Sequence, residues 1–83
     1  MRMVCISRSN DIAIGMRLAG IQSFFIRGEN EIKEKIRELS KDKDVGIINV
    51  TEEVYEIAKN ELEKISNEQE LPLVVKIPNT KWF

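Results

Sequence analysis

Apolar residues recur along the chain at two alternating spacings. Met3-Val4-Cys5-Ile6 is a short unbroken apolar run, and it ends in the polar stretch Ser7-Arg8-Ser9-Asn10-Asp11. Residues 22–27, carrying Phe24-Phe25-Ile26, form a second run that closes at Gly28. Residues 45–50 form a third, and residues 71–77 a fourth that closes at Pro78. Continuous runs of this kind predict strands buried on both faces, as in parallel sheets.

Helical spacing fills the gaps between these runs. Ile12, Met16 and Ala19 share one face of the first helix, Ile14 and Leu18 share another, and Gly20 is placed to stop it. Ser9 and Asn10 are both candidate caps for its start. Ile32, Ile36 and Leu39 make the stripe of the second helix, with Asn30 as the expected N-cap and Glu31–Lys35 as an outer i, i+4 pair. Val54, Ala58, Leu62 and Ile65 make the third stripe; Thr51 is its expected cap, and Glu52 and Glu53 stand in its first turn, where the helix dipole favours acids. The order is β-α-β-α-β-α-β. Short links between alternating elements predict an α/β domain, a four-stranded parallel sheet with three helices and right-handed crossovers.

The first helix stands apart. The other two show one apolar stripe and a charged back, whereas residues 12–21 are apolar around most of the circumference. Two explanations are open: the helix is squeezed between the sheet and the chain's tail, or its outer side meets another chain.

Length and composition narrow the chemistry. The chain has 83 residues, enough for one domain and too few to add a second around a deep cleft. With 42% hydrophobic and 33% charged residues it has the make-up of a globular chain rather than a disordered one. It contains no histidine, which removes the commonest general base and the commonest zinc ligand together. Cys5 is the single cysteine, so no internal disulfide forms and a reducing compartment is expected. No apolar run approaches the roughly 20 residues of a membrane span, and Met1 to Ser7 lacks the apolar core of a signal peptide. A soluble intracellular protein is the expectation.

Charge is uneven. Residues 1–28 carry +3, residues 29–44 carry −1, residues 52–70 carry −5 and the remainder from 71 carries +2. Arg2, Arg8, Arg17 and Arg27 are scattered without interleaved aromatics, which argues against nucleic acid as a partner.

Residues 7–11 form the loop at a strand's carboxyl end that leads into a helix, the usual place for a ligand in an α/β fold. The loop has no glycine, so its backbone is poorly suited to wrap a phosphate. A phosphoacceptor site of the receiver type would need paired acids after the first strand, where Asp11 stands alone, and an Asp at the end of the third, where the sequence offers Asn49. Cys5 falls inside a strand, where a small buried hydrophobe is the usual role. The acids of the third helix do not converge on one point. No catalytic, cofactor or metal set emerges. A small-ligand-binding module using the loop 7–11 remains as an alternative to a protein that works by contact.

The wording of several segments is more specific. Ile14-Gly15-Met16-Arg17-Leu18-Ala19-Gly20-Ile21 closely resembles the "GFRLAG" segment of the F subunits of V-type/A-type ATPases and ATP synthases. Asp44-Val45-Gly46-Ile47-Ile48 is similar to that family's "DIGIILIT" strand, and Thr51-Glu52-Glu53 to the start of its third helix. Leu71-Pro72-Leu73-Val74-Val75 and Ile77-Pro78 are similar to its last strand, "LPVIVEIP". The resemblance spans residues 1–78 in order. It implies a Rossmann-like or receiver-like half fold in a noncatalytic component of the central stalk, peripheral to the membrane on the cytoplasmic side. It implies the D subunit of that stalk as the main partner, with ATP chemistry and proton or sodium transport carried by other components. It implies no cofactor, no nucleic acid and no membrane insertion.

On this reading residues 1–78 are a single α/β domain, and residues 79–83 are a short tail where the family's linker and C-terminal helix would begin. Candidate partner contacts are Ile14, Met16, Arg17 and Leu18 of the first helix and Trp82 and Phe83 of the tail. Candidate structural positions are Gly15, Gly20, Thr51 and Pro78.

Overall fold

The computed structural model describes residues 1–79; Trp82 and Phe83 lie outside them. Strand β1 is Arg2–Ser7, helix α1 Asn10–Leu18, β2 Gln22–Phe25, α2 Glu29–Ser40, β3 Val45–Thr51, α3 Glu52–Ile57, α4 Lys59–Glu68 and β4 Leu73–Ile77. The four strands form one parallel sheet in the order β2-β1-β3-β4.

Each helix starts and stops for a local reason. Ser9 is the N-cap of α1, and its hydroxyl accepts from the Ile12 N–H at 3.4 Å. At the other end the Gly20 N–H donates to the Arg17 carbonyl and the Ile21 N–H to the Met16 carbonyl, at 3.0 and 2.9 Å. That paired closure requires a left-handed residue, and Gly20 has φ of +84°. Helix α2 begins earlier than the expected Asn30 cap. Its N-cap is Gly28, whose carbonyl accepts from the Ile32 N–H at 3.0 Å. Lys35 does not reach back to Glu31: it pairs with Glu38 at 3.3 Å, and its ammonium lies 4.7 Å from the Phe24 ring centre. Tucking the lysine stem against Phe24 shields part of an edge-strand aromatic from water.

The expected third helix is two. The chain bends at Ala58, with φ −110° and ψ 27°, and splits into α3 and α4. The apolar stripe continues across the bend, since Val54, Ala58, Leu62 and Ile65 are all buried. The bend lets α3 pack on β1, β3 and β4 while α4 turns toward β4 and α2. Thr51 caps α3, its hydroxyl accepting from the Val54 N–H at 3.3 Å.

The strand order decides how the helices divide. With right-handed crossovers, moving from β1 out to β2 puts α1 on one face, and returning through β3 to β4 puts α2, α3 and α4 on the other. Side chains alternate along each strand. Val4 and Ile6 of β1 and Ile48 and Val50 of β3 join Ile32, Ile36, Leu39, Val54, Leu62 and Ile65 in one core. Met3, Cys5 and Ser7 face the other way, where α1 packs on β1 and β2. Burial of the strands on both faces, expected from the unbroken apolar runs, is therefore met only in part. Leu73 and Val75 of β4 are 55% and 41% exposed, and Phe25 of β2 is exposed as well. One helix cannot cover four strands, and β2 and β4 are edges.

Candidate functional site

The loop after β1 lies where α/β folds usually bind ligands. Strand order reverses between β1 and β3, and their carboxyl ends open into a cleft of about 680 Å³. The loop is knotted by its own side chains. The Ser7 hydroxyl donates to the Ser9 carbonyl at 2.9 Å and accepts from the Ser9 N–H at 2.8 Å. Ser9 in turn caps α1, so its hydroxyl is occupied.

Across the cleft the charges are mostly acidic. Glu52, Glu53 and Glu56 line it against Arg8 and Lys76. Arg8 pairs with Glu53 at 3.5 Å, and the Lys76 ammonium sits 4.8 Å from the Tyr55 ring centre. Asn79 closes one side: its N–H donates to the Glu52 carboxylate and its side-chain oxygen accepts from the Glu53 N–H, both at 3.3 Å. A phosphate placed here meets three carboxylates and two cations that already have partners. The cleft sits in the right place for a nucleotide but has the wrong chemistry for one. Among the described residues no group of three or more His, Cys, Asp or Glu side chains is placed to hold a metal ion.

Cys5 is fully buried at the centre of β1. Burial pushes its thiol pKa up, and a contact with Ser23 opposes the shift. A thiol held neutral and out of reach is a packing group.

Helix α1 presents its candidate residues in two directions. Ile14 and Leu18 point outward, 45% and 85% exposed. Met16 is half-buried. The Arg17 guanidinium donates to the Ser23 carbonyl at 3.1 Å, tying the end of the helix to β2. The large apolar side chains on the outside of α1 are thus Ile14 and Leu18, while Arg17 ties the helix to β2. Gly15 faces open space, and Pro78 is an exposed residue directly after β4.

By sequence, residues 3–82 match the ATP synthase (F/14-kDa) subunit family. The chain belongs to that family. Its fold is similar to that of a solved structure, the F subunit of the V-type ATP synthase from Archaeoglobus fulgidus. The two agree with a TM-score of 0.76 at 23% identity, over 92% of this chain and 95% of that one. A comparison with curated proteins gives no match. For this member of the F-subunit family, the all-parallel four-stranded α/β architecture is thus found both in its own structure and in that relative of low identity. No helix among the described residues is long and apolar enough to cross a membrane.

One surface of this F-family chain is absent from the candidate residues named by sequence. Register places Met3, Ile47 and Leu73 side by side across β1, β3 and β4, with Val75 one step further along β4. All four lie on the face that, among the described residues, carries only α1. Met3 is 40% exposed, and Ile47 is only half-buried. The signal available in the sequence is parity: these residues alternate with the core-facing residues Val4, Ile48 and Val74.

Proposed function

We propose that this chain is a noncatalytic component of the central rotor stalk in a V/A-type ATPase or ATP synthase. It serves the coupling of ATP synthesis or hydrolysis to proton or sodium transport by contact rather than by chemistry. The D subunit of the stalk is its partner, and its place is peripheral to the membrane on the cytoplasmic side. The family match over residues 3–82 carries this reading. The acid-lined cleft at the carboxyl ends of β1 and β3 supports the noncatalytic part, because it offers no cradle for a phosphate.

Co-expression with the cognate D subunit tests the reading. A complex that survives size-exclusion chromatography is the expected result, together with no ATP binding or hydrolysis by the isolated chain. Failure to co-purify at micromolar concentrations would remove the stalk assignment. An ATP dissociation constant in the low micromolar range by calorimetry would return attention to the cleft.

A further inference from the structure

Among the described residues the parallel sheet is covered by three helices on one face and by one on the other. That single helix, α1, lies over β1 and β2. On the β3–β4 half of the same face, among the described residues, the part-exposed side chains are Met3 at the border, Ile47, Leu73 and Val75, while Asn49 and Thr51 further along β3 are buried. Parallel sheets are normally covered on both faces, so apolar side chains left open on one of them are the place where a partner would complete the layer.

The shape of the gap selects its occupant. Neighbouring strands are about 4.8 Å apart, so two uncovered strands offer a floor about 10 Å wide, the diameter of one α-helix. The wall is the flank of α1. Arg17 reaches the Ser23 carbonyl on β2, and Ile12 lines the same cleft as Thr51 of β3, which orients α1 with Arg17 toward β2 and Ile12 toward the β3 side. Gly15 and Ala19, three and seven residues after Ile12, then fall on the flank toward β3. A Cβ added at Gly15 would meet nothing within 4 Å. A wall of small residues beside an apolar floor admits a second helix packed alongside α1.

Size decides between a second copy and a different chain. The floor is made of only four part-exposed side chains, whereas a stable interface uses about 20–30 residues a side. The patch paired with itself falls well short, whereas a helix that uses it as one contact among several along a longer partner does not depend on it alone. We infer that Met3, Ile47, Leu73 and Val75 form the seat for one amphipathic helix of another chain, packed beside Gly15 and Ala19. This inference rests on the stalk reading, under which the helix belongs to the D subunit.

The experiment compares binding of wild type, the double variant Leu73→Lys/Val75→Lys and the double variant Ile14→Lys/Leu18→Lys to purified D subunit by calorimetry. Thermal melts accompany each variant. Both sheet positions are exposed, so the first variant should fold with a melt close to wild type. It is expected to bind the partner at least tenfold more weakly, about 1.4 kcal/mol. The α1 variant, which alters the outer surface and leaves the seat intact, is expected to bind within threefold of wild type. Equal binding by wild type and the sheet variant overturns the seat while leaving the stalk reading standing. A tenfold loss in the α1 variant alone also overturns it and moves the contact to the outside of α1. A wild type that fails to bind the D subunit removes the stalk reading itself, and the seat with it. Sedimentation of the chain alone supplies a further check: a dimer abolished by Leu73→Lys/Val75→Lys would show that the occupant is a second copy and overturn the assignment.

Discussion

The Asn49 side-chain amide donates to the Val4 carbonyl at 3.1 Å, joining β3 to β1 at the centre of the sheet. By sequence, Asn49 falls near the end of the third strand, where a receiver-type domain would carry its phosphoacceptor. Strand β3 instead runs two residues further, to Thr51, and Asn49 is an interior residue only 8% exposed. Its role is structural, and it depends on the N–H.

Asn49→Asp therefore keeps the shape and removes the donor. The new carboxylate would face a carbonyl oxygen in a poorly solvated place. Loss of a buried partner costs about 1–3 kcal/mol, more for a charged group. Each kcal/mol lowers the melting temperature of a domain this size by roughly 4–8 °C. A circular-dichroism melt at pH 7 is expected to show a clear drop. An unchanged melt would mean that the amide does not hold the two strands.

Gly20 supplies a second test. Its φ of +84° closes α1 and aims the chain into β2. A Cβ in that region costs about 1 kcal/mol or more, and a β-branched side chain costs the most. Gly20→Val is expected to melt several degrees below wild type, with Gly20→Asn between the two, because asparagine tolerates the left-handed region. Equal melts for all three would place the turn elsewhere.

The order of elements is legible in the sequence because apolar runs and helical spacing alternate cleanly, and because the stripes Ile32-Ile36-Leu39 and Val54-Ala58-Leu62-Ile65 do enter the core. The bend at Ala58 is not legible. Alanine is the best helix former, so nothing local marks the break, which separates α3, packed on β1, β3 and β4, from α4, packed on β4 and α2. Strand order is equally hidden, since it is set by long-range pairing. Without it nothing says how many helices cover each face, so the apolar character of Leu73 and Val75 looks like burial. The outward direction of Ile14 and Leu18 is half legible. Their shared face is evident, but which face meets the sheet depends on Ala13 and Met16.

Cys5 gives a prediction about reactivity. It is fully buried, and burial raises its pKa. In the native state a thiol-disulfide reagent such as dithionitrobenzoate is expected to react only through opening of the domain. Full reaction should appear at once in denaturant. Above the ordinary thiol value of about 8.5 the unfolded chain loses its thiol proton while the folded chain keeps it. The stability associated with the neutral thiol is thus complete below that value and declines as pH rises through the folded-state pKa. Rapid labelling of folded protein at pH 7 would refute the packing role.

Acid stability turns on Asp42. One carboxylate oxygen accepts the Asp44 N–H at 2.9 Å, and the other accepts from the Arg2 guanidinium at 2.9 Å, which also reaches Asp44 at 3.0 Å. The cluster fastens the start of β1 to the turn ahead of β3. The Asp44 N–H first, and Arg2 second, hold the Asp42 pKa below the ordinary carboxylate value. A depressed folded-state pKa means that the unfolded chain takes up the proton first as pH falls. The stabilisation is complete above the ordinary aspartate value of about 3.9 and is lost as pH drops through the lower, folded-state one. Both partners are part-exposed, so the effect is modest and shrinks in high salt. Asp42→Asn keeps an oxygen for the Asp44 N–H but cannot titrate. Its melting temperature is expected to fall less steeply than that of wild type between about pH 4 and about pH 2. Parallel curves for the two proteins would assign the acid sensitivity to other carboxylates and leave the Arg2 cluster without a measurable share.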